Sequence, residues 1–310
     1  MPEEKARMVI LLGPTGVGKS AASLALAERF DAEIISADSM QVYRHLDIGT
    51  AKPGPEERRR VRHHLIDLVE PDEEFNAAIY RDEARKVVAD LKMRNKRGLV
   101  VGGAGFYIRA FLKGLFPCPP KDEGLRQKLM DEAERLGRAH LHNRLRKVDP
   151  ESAARLAERD LVRIMRALEV YELTGRPLSA HIKAHGFSEE PFDTLKVGLY
   201  RERDELYERI EKRVDGMLSA GLVEEVRGLL SEGYSPDIKP FRSLTYKHVI
   251  ACLQKRTDPD EAVKRIKRDT RRYAKRQMTW FRAEGGILWL NASNPGWEER
   301  LEREVTRFWR

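Results

Sequence analysis

The residues with the clearest chemistry come early in the chain. Gly13-Pro14-Thr15-Gly16-Val17-Gly18-Lys19-Ser20 has the spacing G-x-x-x-x-G-K-[ST], in which glycines let successive backbone N–H groups turn around phosphate oxygens. Lys19 supplies a point charge, the Ser20 hydroxyl can ligate Mg²⁺, and a helix starting there adds the positive end of its dipole. The loop reads as a diphosphate or triphosphate site with Mg²⁺ as the expected cofactor. It does not say what the phosphates are attached to, because ATPases, GTPases and small-molecule kinases all use it. A helicase or motor would need a further strand ending in an Asp-Glu-type pair, and no convincing one follows. Asp38-Ser39 ends the next apolar run. A carboxylate there can act as a general base or hold a metal, but Asp-Ser is also a good helix N-cap, and spacing does not separate the two. His63-His64 lacks the partner ligands a zinc site needs, so both read as structural. Cys118 and Cys252 stand alone and suggest neither a disulfide framework nor a Cys-based metal site.

These side chains need elements to position them. Met8–Leu12 is a short apolar run before the loop, and a helical pattern, Ser20–Phe30, follows it. Ala32–Ser36 and Gly98–Gly103 read as further buried strands. Between them, Ala77, Tyr80, Ala84, Val87, Val88 and Leu91 recur at helical spacing. Alternating strands and helices predict an open parallel sheet with crossover helices. Ligands bind at the carboxyl edge of such sheets, which would bring Asp38 close to the phosphate loop. After Phe116-Pro117-Cys118-Pro119-Pro120 the rhythm changes to charged helical stretches as far as His185. Leu195–Tyr200 and Ile287–Leu290 then return as strands. The expected fold is α/β: a P-loop NTPase-like parallel sheet core split over residues 1–119 and 192–310, with an inserted, mainly helical domain at 120–191.

Composition narrows the partners. Hydrophobic residues at 41% of 310 can build a core, which argues against a disordered chain. Lys+Arg 58 against Asp+Glu 50 leaves +8, a balance that suits a phosphate-rich partner. No apolar run near the start approaches the roughly 20 residues of a membrane span, and Met1–Arg7 mixes acids with bases, unlike a signal peptide. A cytoplasmic monomer with no membrane association is the expectation. Lys264–Arg282 holds nine Lys/Arg against one acid, Asp269. Ile266, Tyr273, Ala274, Met278 and Phe281 form an approximate apolar stripe within it. Such a helix either docks on the core and offers charge to a phosphate backbone or is simply a solvated basic face. Arg163 and Arg166 sit three apart in a helical pattern, hence on one face.

The stretch Asp38-Ser39-Met40-Gln41-Val42-Tyr43-Arg44-His45-Leu46-Asp47-Ile48-Gly49-Thr50-Ala51-Lys52-Pro53, with Gly13–Ser20 before it, resembles the tRNA dimethylallyltransferase (tRNA isopentenyltransferase, IPP transferase) family of bacterial type. Further matches are His63–Asp67, Val101-Gly102-Gly103 with Phe106-Tyr107-Ile108, Arg163, Arg166–Val170 and Tyr273–Arg282. The resemblance implies transfer of a dimethylallyl group from dimethylallyl diphosphate to N6 of adenine 37 in tRNA. Under it, the phosphate loop holds the donor's diphosphate, and Thr15, Asp38 and Arg213 are the catalytic positions. It further implies tRNA contacts at Asp38, Ser39, Met40 and Gln41, at Ala104, at Val162, Arg163, Ile164, Met165 and Arg166, and at Arg242, Ser243, Leu244, Thr245, Tyr246 and Lys247. Two positions depart from the family pattern: Ala104 replaces a common Thr, and Thr245 a usual Gly. The alternatives from the loop alone are an ATP-binding small-molecule or nucleotide kinase and a nucleotide-switched RNA-binding protein.

Overall fold

The computed structural model describes residues 5–310. Strand β1 (Ala6–Leu12) leads through the phosphate loop into α1 (Lys19–Phe30), and β2 (Ala32–Ala37) follows. Then come α2 (Pro55–Arg60), the two-residue strand β3 (His63–His64), α3 (Ala77–Met93), β4 (Arg97–Gly102) and α4 (Gly105–Lys113). Five helices follow without a strand: α5 (Glu123–Leu136), α6 (Arg138–Val148), α7 (Pro150–Arg155), α8 (Leu161–Thr174) and α9 (Leu178–His185). The chain ends with β5 (Phe192–Tyr200), α10 (Arg203–Ser219), α11 (Leu222–Ser231), a 3₁₀ turn at Lys239–Arg242, α12 (Tyr246–Leu253), α13 (Pro259–Arg282), β6 (Ile287–Asn291) and α14 (Trp297–Trp309).

The six strands form one parallel sheet in the order β3-β2-β4-β1-β5-β6. Leu11 lies opposite Val101 on one side and Val197 on the other, which places β1 in the interior of the sheet. Helices cover both faces of a parallel sheet, so a central strand reads as an unbroken apolar run. Val9, Ile10 and Leu11 are fully buried for that reason. Leu11→Ala would cost about 2–5 kcal/mol. Strand β3 was not legible, because two histidines on an edge carry no apolar pattern. His64 is held by a bond between its Nε2 and the Glu33 carboxylate at 2.6 Å.

Helix α3 shows how local sequence sets an element. Asn76 Oδ1 accepts from the N–H groups of Ala78 and Ile79, capping the helix, and Tyr80, Ala84, Val88 and Leu91 form the buried stripe.

The chain divides into two compact units: the stretch up to Leu112 together with Glu190–Arg310, and Lys113–Glu189. The first contains the sheet, around a core that includes Val9, Leu11, Leu99, Val197, Leu199 and Ile210. The second packs Leu129, Leu141, Leu145, Ile164 and Leu168 into a core of its own. Among the described residues, no helix is long and apolar enough to cross a membrane.

Candidate nucleotide and diphosphate site

Strand β1 delivers the phosphate loop to the carboxyl edge of the sheet. Gly13 adopts φ 149°, and a Cβ there would lie 2.5 Å from the Leu199 carbonyl oxygen, so a side chain cannot fit. Lys19 folds back over the loop, and its Nζ donates to the carbonyls of Gly13 at 2.9 Å and Pro14 at 2.8 Å. Burial, helped by the nearby Arg213 charge and opposed by Asp38, lowers the Lys19 pKa to about 7. Burial likewise lowers the pKa of Arg213 on α10, with Asp38 again opposing. Among the described residues, Arg213 makes one hydrogen bond, from Nη2 to the Thr50 carbonyl at 3.5 Å. Among the described residues neither cation has a carboxylate within ion-pair distance. Uncompensated charges of this kind favour an anionic ligand.

Asp38 follows directly on β2. Its Oδ1 accepts from Met40 N–H at 2.8 Å and Gln41 N–H at 3.3 Å, closing a turn; no helix starts there, so the helix N-cap alternative does not hold. Among the described residues, Oδ2 takes no hydrogen bond. The turn uses one oxygen and leaves the other free for chemistry. Asp38 lines a cavity of about 390 Å³ together with Thr15, Lys19, Ser20 and Arg213. Ile210, Arg213, Val214 and Met217 reach the same cavity from α10. Their i, i+3, i+4, i+7 spacing places one cation and three apolar side chains on a single helix face. A second hollow of about 400 Å³ shares Lys19, Ser20 and Arg213 and adds Arg209 and Lys212.

Of the positions expected from resemblance to contact tRNA, Ser39, Met40, Gln41, Arg242, Ser243, Leu244, Thr245 and Tyr246 line the cavity beside Asp38. Ala104 adjoins it, and its N–H donates to the Ala37 carbonyl. Lys247 is paired with the Asp269 carboxylate at 3.0 Å. In the helical unit, Val162 and Arg163 point outward from α8, whereas Ile164 and Met165 are buried. Arg166 is tied to the buried Glu169 carboxylate and donates to the Pro119 carbonyl at 2.8 Å.

Sequence patterns gave no sign of Glu225 and no structural role for Lys52 or Gln277, although the latter two lie in stretches that resemble the family. Glu225 on α11 accepts from the N–H groups of Asp47, Ile48 and Gly49 and from the Tyr246 hydroxyl at 2.6 Å. It fixes the loop that follows Asp38. Burial, together with the Glu225 charge and hydrogen bond, pushes the Tyr246 hydroxyl pKa far above the usual range, so it stays a donor. Lys52, almost fully buried, bonds the Tyr43 carbonyl and both Asp47 and Asp67. Gln277 on α13 bridges the Thr15 N–H and the Gly103 carbonyl. No spacing rule signals that Glu225 reaches residues 47–49 or that Gln277 reaches Thr15 and Gly103, more than 160 residues away. The partners of Lys52, though nearer in the chain, follow no helical or strand period.

A phosphate loop, two cations without counterions and a half-satisfied carboxylate around one cavity, at the carboxyl edge of a parallel sheet, define a P-loop-fold protein equipped for group transfer from a phosphorylated donor. The IPP transferase family model matches residues 41–284. Similar proteins include a tRNA dimethylallyltransferase of Geobacter metallireducens, 54% identical over 93% of each chain, and one of Desulfatibacillum aliphaticivorans, 51% identical over 98% of each. The full-length tRNA isopentenylpyrophosphate transferase of Bacillus halodurans aligns structurally with a TM-score of 0.72 and 35% identity, covering 98% of this chain and 97% of that one. A eukaryotic dimethylallyltransferase acting on tRNA gives a TM-score of 0.80 at 28% identity, over 97% of this chain and 77% of that one. The chain belongs to the IPP transferase family.

Proposed function

We propose that this chain transfers a dimethylallyl group from dimethylallyl diphosphate to N6 of adenine 37 in tRNA, releasing diphosphate. The observation that carries the reading is the single cavity in which Asp38 faces the same space as Lys19, Arg213 and the phosphate loop. The relatives matched across nearly the whole chain bear tRNA dimethylallyltransferase names, and a kinase reading is not favoured.

An adenine N6 amine is a weak nucleophile because its lone pair is delocalised into the ring. Asp38 Oδ2 accepts one N–H, localises the pair and takes the proton as the N6–C1 bond forms. The two N–H groups on Oδ1 hold the carboxylate in one orientation. As the allylic C1–O bond breaks, charge builds on the departing diphosphate. Lys19, Arg213, the Thr15 hydroxyl and the loop N–H groups lie ready to receive it. Val214 and Met217, beside Arg213, offer apolar surface to the isoprenoid chain.

Mg²⁺ is part of the proposal. Among the described residues no cluster of three or more His, Cys, Asp or Glu is present. The Ser20 hydroxyl with diphosphate oxygens fits a Mg²⁺ ion, which commonly binds through substrate phosphates and water. When bound, the ion supplies charge neutralisation for the diphosphate. The tRNA is held by Arg163 and by the exposed Arg272, Lys275 and Arg276 of α13, and the adenine leaves its stack to enter the cavity. The reading requires one copy of the chain, and a cytoplasmic monomer is proposed.

One incubation tests this: purified protein, Mg²⁺, labelled dimethylallyl diphosphate and tRNA, followed by nucleoside analysis. Label in N6-(dimethylallyl)adenosine, independent of ATP, is expected. Unlabelled RNA, or γ-phosphate transfer from ATP to a small hydroxylated acceptor, overturns the reading.

A further inference from the structure

The transfer proposed above requires the phosphate loop to keep its shape while charge grows on the leaving group. One buried amide is placed to enforce this. Gln277 on α13 is 7% exposed. Its Oε1 accepts from Thr15 N–H at 2.9 Å, and its Nε2 donates to the Gly103 carbonyl at 2.9 Å. The side chain therefore spans the two segments that leave neighbouring strands β1 and β4, and it lines the cavity itself. A Cβ on Gly103 would lie 2.1 Å from Nε2, so the amide in this position occupies space that a side chain at residue 103 would take.

The required chemistry is narrow. One planar group must offer an acceptor to Thr15 and a donor to Gly103. An ionised glutamate offers two acceptors, a leucine offers neither, and an asparagine is one methylene short. We propose that Gln277 is a positioning residue of the transferase. It sets the Thr15 peptide, and with it the Thr15 hydroxyl and adjoining loop N–H groups, against the departing diphosphate. This inference rests on the transfer reading. The neighbouring Lys275 and Arg276 are exposed while Gln277 is buried, so changing it leaves the basic surface of α13 intact.

Steady-state kinetics of Q277A and Q277E beside the wild type provide the test. Failure of the wild type to label tRNA counts against the functional reading itself, and the variants are interpreted only once the wild type works. Q277A is expected to lower kcat/KM for dimethylallyl diphosphate by about 10- to 100-fold, with RNA affinity kept within about twofold. In Q277E a protonated carboxyl regains one O–H donor and one carbonyl acceptor, and burial beside a carbonyl favours that form. The ratio of Q277E to wild-type rate should therefore climb as pH falls from about 8 to about 6. Loss of packing alone would give a flat ratio. A flat ratio, or Q277A within about threefold of wild type, overturns the proposal. Because each Q277E value is referenced to wild type at the same pH, that series decides the matter even if Q277A does not fold.

Discussion

Two regions of the molecule, the acid clusters of the helical unit and the cavity of the sheet unit, treat charge in opposite ways. In the helical unit, Asp149 has both oxygens occupied: Oδ1 accepts from Ser152 N–H at 3.0 Å and the Ser179 hydroxyl at 2.6 Å, and Oδ2 from the Ser152 hydroxyl at 2.6 Å and Ser179 N–H at 3.0 Å. Glu169 is equally complete, with Asp122 N–H and Arg126 on one oxygen and Arg126 and Arg166 on the other. In the sheet unit, Asp38 fills one oxygen and exposes the other to a cavity, and Lys19 and Arg213 have no counterion among the described residues. Complete satisfaction stabilises a fold, and a shortfall of partners marks where a ligand belongs. Both regions contain motifs the sequence singles out, and only the partner inventory tells them apart.

The largest effect expected on that contrast comes from Asp38→Asn. Asparagine keeps an oxygen for the Met40 and Gln41 N–H groups, so the turn survives while the base is lost. Turnover should fall by about 10²–10⁴-fold with little change in melting temperature or tRNA affinity. Asp149→Asn is the matched control, expected to lower stability and spare turnover per folded molecule. Equal losses of turnover in both variants would erase the distinction between the two carboxylates.

A smaller effect, on stability instead of rate, is expected at Glu169. Burial alone would raise its pKa, but hydrogen bonds from Arg126, Arg166 and Asp122 N–H outweigh it and hold the carboxyl at about 2. A folded-state pKa below the unfolded one gives stability that is present above about pH 4.3 and is lost as pH falls toward 2. The helical unit should therefore loosen between those limits. Glu169→Gln should cost about 2–4 kcal/mol at pH 7, because it leaves two guanidinium groups partly unpaired. Inorganic pyrophosphate binding should be unchanged. Acid denaturation followed by circular dichroism, with pyrophosphate calorimetry on the variant, checks both statements. A Glu169→Gln protein as acid-resistant and as stable as wild type would show that the satisfied cluster contributes little.

Local signals were the legible ones. The phosphate loop, the five longer strands and the carboxylate that Asp38 sets at the end of β2 each depend on a few consecutive residues, and the parallel sheet follows from the alternation of strands and helices. The contacts that give the cavity its shape join distant stretches. Glu225 reaches back to residues 47–49, and Gln277 to Thr15 and Gly103. Glu225 looks like an ordinary polar helix residue until the chain is folded, and Gln277, though inside the family-like stretch Tyr273–Arg282, gives no hint of its partners. Arg163 and Arg166 mark the limit of helical spacing as a guide. They sit three apart, yet Arg163 keeps 72% of its side chain exposed, whereas Arg166 is drawn to the wholly buried Glu169 one turn on. Periodicity gives the face of a helix; the neighbours decide whether a side chain pairs at the surface, as Arg163 does with Asp160 at 3.2 Å, or with a buried partner.

The finest test of an uncompensated cation concerns protons. Lys19 has a pKa of about 7 in the free protein, against about 10.4 for an ordinary lysine. In the free protein the unfolded chain binds the extra proton between those values, so stability rises with pH across that window. A bound diphosphate supplies the missing negative charge and returns the Lys19 pKa toward the ordinary value. Donor binding near pH 8 should therefore take up close to one proton, and near pH 6 almost none from this group, because Lys19 is already charged. Affinity should weaken by up to about tenfold per pH unit above 7. Titration calorimetry in buffers of different ionisation enthalpy measures the uptake directly. Lys19→Arg separates this group from the donor's own titration, since a guanidinium stays charged throughout and its variant should show no uptake at pH 8. Uptake that persists in the arginine variant would assign the proton to another group and weaken the case that Lys19 waits uncompensated for an anion.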